Sequence, residues 1–268
     1  MRRRTFVALL GGAAAPWPLA VRAPAARAQP AVTSELAPTG KLRAGLIGSN
    51  AVLITRRPDG GVGGVSVDLG KFIAERLGVP FDPVVYPDPR AYTQSFGKSE
   101  WDIGIAARDP SRAEFLDFSP DFMLVDNVFV AAPGHDFADI GQVDRAGVRI
   151  AVQQNSAPDN LLSRTLKFAT VVRVPGSLDI AIETLRSGQA DVYGDNAPFA
   201  HAIADGLPGA KLVPGQFNTV RMAVALPKGQ TAAAQKRLAE IVNEGKATGV
   251  VQNAIKAAGL KGVRVAPD

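Results

Sequence analysis

Two β-prone runs, Val125 to Ala132 and Val220 to Leu226, constrain this chain more than any other feature. Each follows a series in which strand and helix patterns alternate. In the first series, Leu42 to Ile47 reads as a strand. Val65, Leu69, Phe72, Ile73 and Leu77 then fall at helical spacing, and Gly78 with Pro80 stops that helix. Phe81 to Val85 and Trp101 to Ala106 read as further strands. Between the two runs the pattern restarts. Gly147 to Val152, Val171 to Val174 and Ala190 to Tyr193 read as strands, with helices predicted over Ser156 to Leu166, Leu178 to Leu185 and Pro198 to Ala204. The tail from Thr231 to Ala258 is helical, divided by Gly249, and its charges alternate in sign, so it packs on protein rather than on a membrane. This is an α/β chain of two units of similar size, not one barrel of eight repeats. The long runs are natural crossovers between the units, near Phe129 and Ala223. No short fixed-period repeat is visible.

Residues 1–28 have the anatomy of an export signal: Arg2-Arg3-Arg4, then an apolar run from Phe6, then the small-x-small site Ala26-Arg27-Ala28. Arg3-Arg4-Thr5-Phe6-Val7 resembles the twin-arginine signature, with an ordinary secretory signal as the alternative. Residues 29–40, rich in Ala, Pro, Thr and Ser, read as a flexible lead-in. The leader also explains the charge. The chain has 30 Lys and Arg against 25 Asp and Glu. Five of those arginines lie before residue 29 and no acidic residue does, which leaves the remainder balanced. Nucleic acid therefore loses its electrostatic argument as a partner. An exported protein without a lipid anchor is expected, since Cys is absent.

His135 and His201 are the only histidines, and without Cys they argue against a transition-metal site. No G-x-S-x-G elbow is present. Gly60-Gly61-Val62-Gly63-Gly64 does not match a phosphate-binding fingerprint and reads as a hairpin. No cofactor is expected.

Five segments in order resemble the periplasmic solute-binding proteins of the amino-acid type, family 3. They are Gly40-Lys41-Leu42-Arg43-Ala44-Gly45; Gly64 to Leu69 followed by Ala74 to Gly78; Arg112 to Ser119; Leu185 to Asp191; and Leu226-Pro227-Lys228-Gly229. The resemblance spans residues 40 to 260. It implies a type II periplasmic binding protein fold: two Rossmann-like α/β lobes joined by a two-strand hinge, with a ligand cleft between them. Lobe 1 would comprise 41–131 and 223–268, and lobe 2 would comprise 132–222. It further implies a monomer that captures a small carboxylate-bearing solute, an amino acid or related organic acid, by lobe closure and hands it to an ABC permease in the inner membrane. Some relatives are periplasmic dehydratases, so an enzyme on the same scaffold is the alternative, with Asp195 or Glu114 as general acid.

Carboxylate capture needs a rigid fork of donors, which arginine supplies. Arg112 follows a strand and a Pro-Ser turn and matches the family's carboxylate-binding arginine; it could instead be a solvated residue pairing with Glu114. Arg108 is a second candidate whose direction nothing in the sequence sets. Asn155 and Ser156 stand at a strand-to-helix turn suited to an anion, where Ser156 caps the helix, contacts ligand, or does both. The family's ammonium-binding aspartate falls at Asn196, one residue after Asp195. Either Asp195 serves in its place, or the site does not take an ordinary α-amino acid. Ser49-Asn50-Ala51-Val52 stand where the family carries an aromatic residue, so the stacking platform for a basic or aromatic solute is missing; Asn50 either donates to a ligand or simply ends the strand.

Overall fold

The structure is a computed structural model describing residues 25–50, 52–56 and 60–267; the export signal expected over residues 1–28 falls outside the described residues up to residue 24. The chain enters through α1 (Ala25–Leu36). A flexible lead-in over 29–40 was the expectation, and the helix corrects it. Val32 and Leu36, one turn apart, form an apolar edge that joins the nearby core, with Leu36 buried. Glu35 then accepts a 2.7 Å hydrogen bond from the Thr231 hydroxyl.

The first unit contains β1 (Leu42–Ile47), a small hairpin of β2 (Thr55–Arg56) and β3 (Val62–Gly63), α2 (Val65–Leu77), β4 (Phe81–Tyr86), α3 (Pro89–Gln94), β5 (Ile103–Ala107) and α4 (Pro110–Ala113). Gly78 ends α2 with φ of 71°, the left-handed conformation that glycine adopts without penalty. The long strand β6 (Leu116–Ala131) leads into the second unit. There β7 (Arg149–Gln153), α5 (Ala157–Thr165), β8 (Thr170–Val174), α6 (Leu178–Arg186), β9 (Val192–Asn196), α7 (Ala197–Gly206) and β10 (Lys211–Leu212) follow. The chain returns along β11 (Asn218–Pro227) and finishes with α8 (Ala232–Ala247), α9 (Val250–Ala257) and β12 (Val263–Val265).

The two units repeat one device. Arg43 at the head of β1 clamps Asp102, with its backbone N–H on one carboxylate oxygen at 2.9 Å and Nη2 on the other at 2.6 Å. Arg149 at the head of β7 clamps Asp191 the same way, at 2.7 and 2.6 Å. The first bidentate pair ties β1 to the start of β5, and the second ties β7 to the start of β9.

The principal sheet runs β4-β1-β5-β11-β6-β9-β7-β8, with β10 and β12 also on β6. β1 pairs in parallel with β4 and β5, and β7 in parallel with β8 and β9, as βαβ connections require. β6 and β11 are antiparallel to each other and run through both halves. β6 begins well before the predicted Val125, across Pro120, a residue usually kept out of strands. The sheet accommodates it because the Ser119 hydroxyl oxygen accepts the Val224 N–H at 3.0 Å beside a register shift.

Buried side chains divide along the crossovers. Val125, Val220 and Met222 join the core of the first unit, under α2, α8 and α9. Phe129, Val130 and Val213 join the cores of the second. On β11 the change therefore falls before Val220, several residues ahead of the expected Ala223. The result is the two-lobed type II periplasmic binding protein fold, with the first lobe built from both ends of the chain.

Candidate ligand cleft

Where the lobes meet, one cavity of about 50 Å³ is lined from both sides and from the crossover strands. Arg112 lies on its wall. Asp109 starts the helical turn by accepting the Ser111 N–H at 2.9 Å, and Pro110 occupies the first helical position. That turn carries Arg112 inward, to 3% exposure. Its guanidinium donates to the Ala107 carbonyl at 3.2 Å and, across the lobes, to the Asn155 carbonyl at 3.3 Å, while Nε has no partner. Among the described residues no carboxylate pairs with it. Burial pulls its pKa down, opposed at longer range by Tyr92 and Asp109. Tyr92 packs beside β5 on a surface that only glycine permits: a Cβ at Gly104 would sit 2.0 Å from its hydroxyl.

From lobe 2, Asp195 at the end of β9 lines the same cavity, 4% exposed. One carboxylate oxygen accepts the backbone N–H and the side-chain amide of Asn196, both at 2.7 Å; the other has no partner. Burial raises its pKa to about 7, against those two bonds. Asn196 also lines the cavity, but its side-chain oxygen caps α7 by accepting the Phe199 N–H at 3.0 Å. Both ends of that amide are therefore engaged, and the ionisable group offered to the cavity is Asp195.

Ser156 lines the cavity and caps α5, accepting the Asp159 N–H at 3.2 Å. Asn155 takes φ of 61°, which asparagine tolerates better than most residues, and meets Arg112 through its carbonyl rather than its side chain. Asn50 lines the cavity and holds its loop by accepting the Val52 N–H at 3.1 Å. Arg108 does not reach the cleft. It donates from Nε to Asp121 at 2.9 Å, and Asp121 also pairs with Arg221. Its neighbours are brought alongside by β11, a long-range pairing that local sequence does not reveal. Glu114 is exposed and outside the cavity lining.

Three polar lining residues escaped the sequence reading, one of them Gln153 at the end of β7. Asn127, on β6, is buried with both amide atoms unpartnered. Ser49, after β1, has a hydroxyl without a partner. The available signal was Asn127 itself, an amide inside an apolar strand.

A cleft lined by an unpaired arginine from one lobe and an unpaired aspartate from the other defines a two-lobed solute receptor. The chain belongs to the bacterial extracellular solute-binding proteins, family 3, whose profile matches residues 42–256. A comparison with curated protein sequences returns no match. Among solved structures, it is similar to a solute receptor for L-cysteine of Neisseria gonorrhoeae (TM-score 0.74, 17% identity, covering 89% of this chain and 99% of that one). It is also similar to an amino acid ABC transporter substrate-binding protein from Streptococcus pneumoniae bound to L-arginine (0.71, 21%, 86% and 99%). A third likeness is an ancestral amino acid-binding protein, a precursor of cyclohexadienyl dehydratase (0.71, 19%, 84% and 98%). Substrate binding is thus the role that family and fold support.

Proposed function

We propose that the protein is an exported receptor that closes on a small α-amino acid with an uncharged side chain and delivers it to an ABC permease. The observation that carries this reading is the pair of buried, unpaired, opposite charges on one cavity, Arg112 and Asp195. A lone buried charge is costly, and each is satisfied when a partner of opposite sign arrives. Arg112 suits an α-carboxylate through its fork, and Asp195 suits an α-ammonium. No other charged side chain is among the described residues lining the cavity, so a third charge on the solute would go unmet. That disfavours an arginine-like solute and fits a short neutral one, as does the small cavity. The solute binds without a metal or cofactor, to a monomer. Export rests on the leader; among the described residues no helix is long and apolar enough to cross a membrane. Native mass spectrometry of the freshly purified mature chain tests the reading. A bound mass matching a neutral amino acid is expected; a dicarboxylate or a sugar would contradict it.

A second reading, a dehydratase-type enzyme, draws on one observation: Asp195 is poised near neutrality, as a general acid requires. Incubation with prephenate separates the two. A receptor returns the compound unchanged, and an enzyme converts it.

A further inference from the structure

We propose that Asn127 reads the side chain of the bound amino acid and selects one that is short and ends in a hydroxyl or a carboxamide. The inference rests on the amino-acid reading above and adds the solute's third polar group. Asn127 lies on β6 where the lobes part, and it is 1% exposed. Its main chain is engaged, its carbonyl accepting the Phe217 N–H at 3.0 Å. Its side chain lines the cavity, and neither the amide nitrogen nor the amide oxygen has a partner among the described residues. An asparagine is disfavoured inside a strand, and an unsatisfied buried amide is destabilising. The other crossover side chains on the cavity, Val125, Val220 and Met222, are apolar, so a polar group on the solute finds its match on this wall only at Asn127. The amide offers two donors and an acceptor at once. A hydroxyl answers either and a carboxamide answers both, whereas a carboxylate can only accept and an ammonium can only donate. The Ser49 hydroxyl, also unpartnered, is available as a second contact.

Calorimetric titration of the mature chain and of Asn127→Val with L-alanine, L-serine and L-asparagine tests this, alongside melting of the ligand-free proteins. The wild type should bind L-serine or L-asparagine at least about tenfold more tightly than L-alanine. Asn127→Val should lose the preference, with its affinities for the three amino acids falling within about threefold of one another. Its ligand-free melting temperature should equal or exceed that of the wild type, because an unpaired buried amide has been replaced by an apolar group. Asn127→Ala provides a second variant with the same expected loss of preference. Equal binding of all three amino acids by the wild type, or an unchanged preference in both variants, overturns the inference and leaves the amino-acid reading standing. Failure of the wild type to bind any amino acid overturns both.

Discussion

Arg112 and Asp195 face one cavity from opposite lobes, and neither has a counter-ion among the described residues. Arg112 spends two N–H groups on carbonyls at 3.2 and 3.3 Å, and Asp195 keeps one oxygen free. Of the acids nearest to Arg112 in sequence, Glu114 is exposed and outside the cavity lining, and Asp109 is engaged elsewhere, by Ser111 and by Arg164. The unmet charges follow from the fold, since α4 and β9 deliver them from different lobes.

Arg112→Ala should lose about 2–5 kcal/mol of solute binding, as removal of one member of a buried charge pair typically does, or roughly 30- to 5,000-fold in affinity. Arg112→Lys should recover part of it, because a point charge does not reproduce the fork. Circular dichroism should show both variants folded. Unaltered affinity in Arg112→Ala would remove the carboxylate assignment.

Asp195 makes binding depend on pH. Its folded-state pKa of about 7 lies above the ordinary 3.8. An ammonium binds the ionised form, so affinity should fall as pH drops through about 7, by about tenfold per unit well below it, with proton release on binding. Stability of the ligand-free chain runs the other way. The raised pKa contributes stability that is fully present below about pH 4 and is lost as pH rises through about 7. Asp195→Asn should therefore melt higher than the wild type at pH 8 while losing its preference for amines. Affinity that rises on acidification would point to a solute that accepts a hydrogen bond from a protonated Asp195.

The lobes also touch outside the cavity. Arg164 of α5 pairs with Asp109 at 3.2 Å, and Asn160 donates to the Ser111 hydroxyl at 3.3 Å. Arg164 is partly exposed, so the pair is worth about 1 kcal/mol or less. Arg164→Ala should weaken solute binding a few-fold and enlarge the ligand-free radius of gyration in X-ray scattering, with the solute-bound value unchanged. Identical scattering of wild type and variant would show that these contacts do not hold the lobes together.

The clamps at Arg43 and Arg149 lie outside the cavity lining. Asp102→Ala leaves the Arg43 N–H and guanidinium without their shared acceptor. It should cost about 1–3 kcal/mol in denaturant unfolding and leave the affinity of the folded protein intact. A specific loss of binding would place β1 in the binding machinery.

Much of this fold was legible because its signals are local. The apolar spacing from Val65 to Leu77 and the stop at Gly78 give α2 its bounds, and Gly249 divides α8 from α9. Arg112 in its turn and Asp195 beside Asn196 were visible in the sequence as candidates, and both line the cavity. What stayed hidden depends on distant partners. The entry into β6 runs through Pro120, and only Val224 across the ladder shows how the strand survives it. Arg108 reads like Arg112 until β11 arrives with Arg221 and the two share Asp121. Asn127 carries no local signal beyond an amide in an apolar run, and its lack of partners becomes visible only when both lobes surround it.

The most direct measurement is a calorimetric titration of the mature wild-type chain, near pH 8, with neutral amino acids and their hydroxy-acid counterparts, L-alanine with L-lactate and L-serine with glycerate. Binding by both ends predicts that the amino acid of a matched pair is preferred by about tenfold or more, with the preference abolished in Asp195→Asn and binding of either compound lost in Arg112→Ala. Equal affinity for the amine and the hydroxyl in the wild type, or tight binding that survives Arg112→Ala, would contradict the claim that these two residues hold the two ends of the solute.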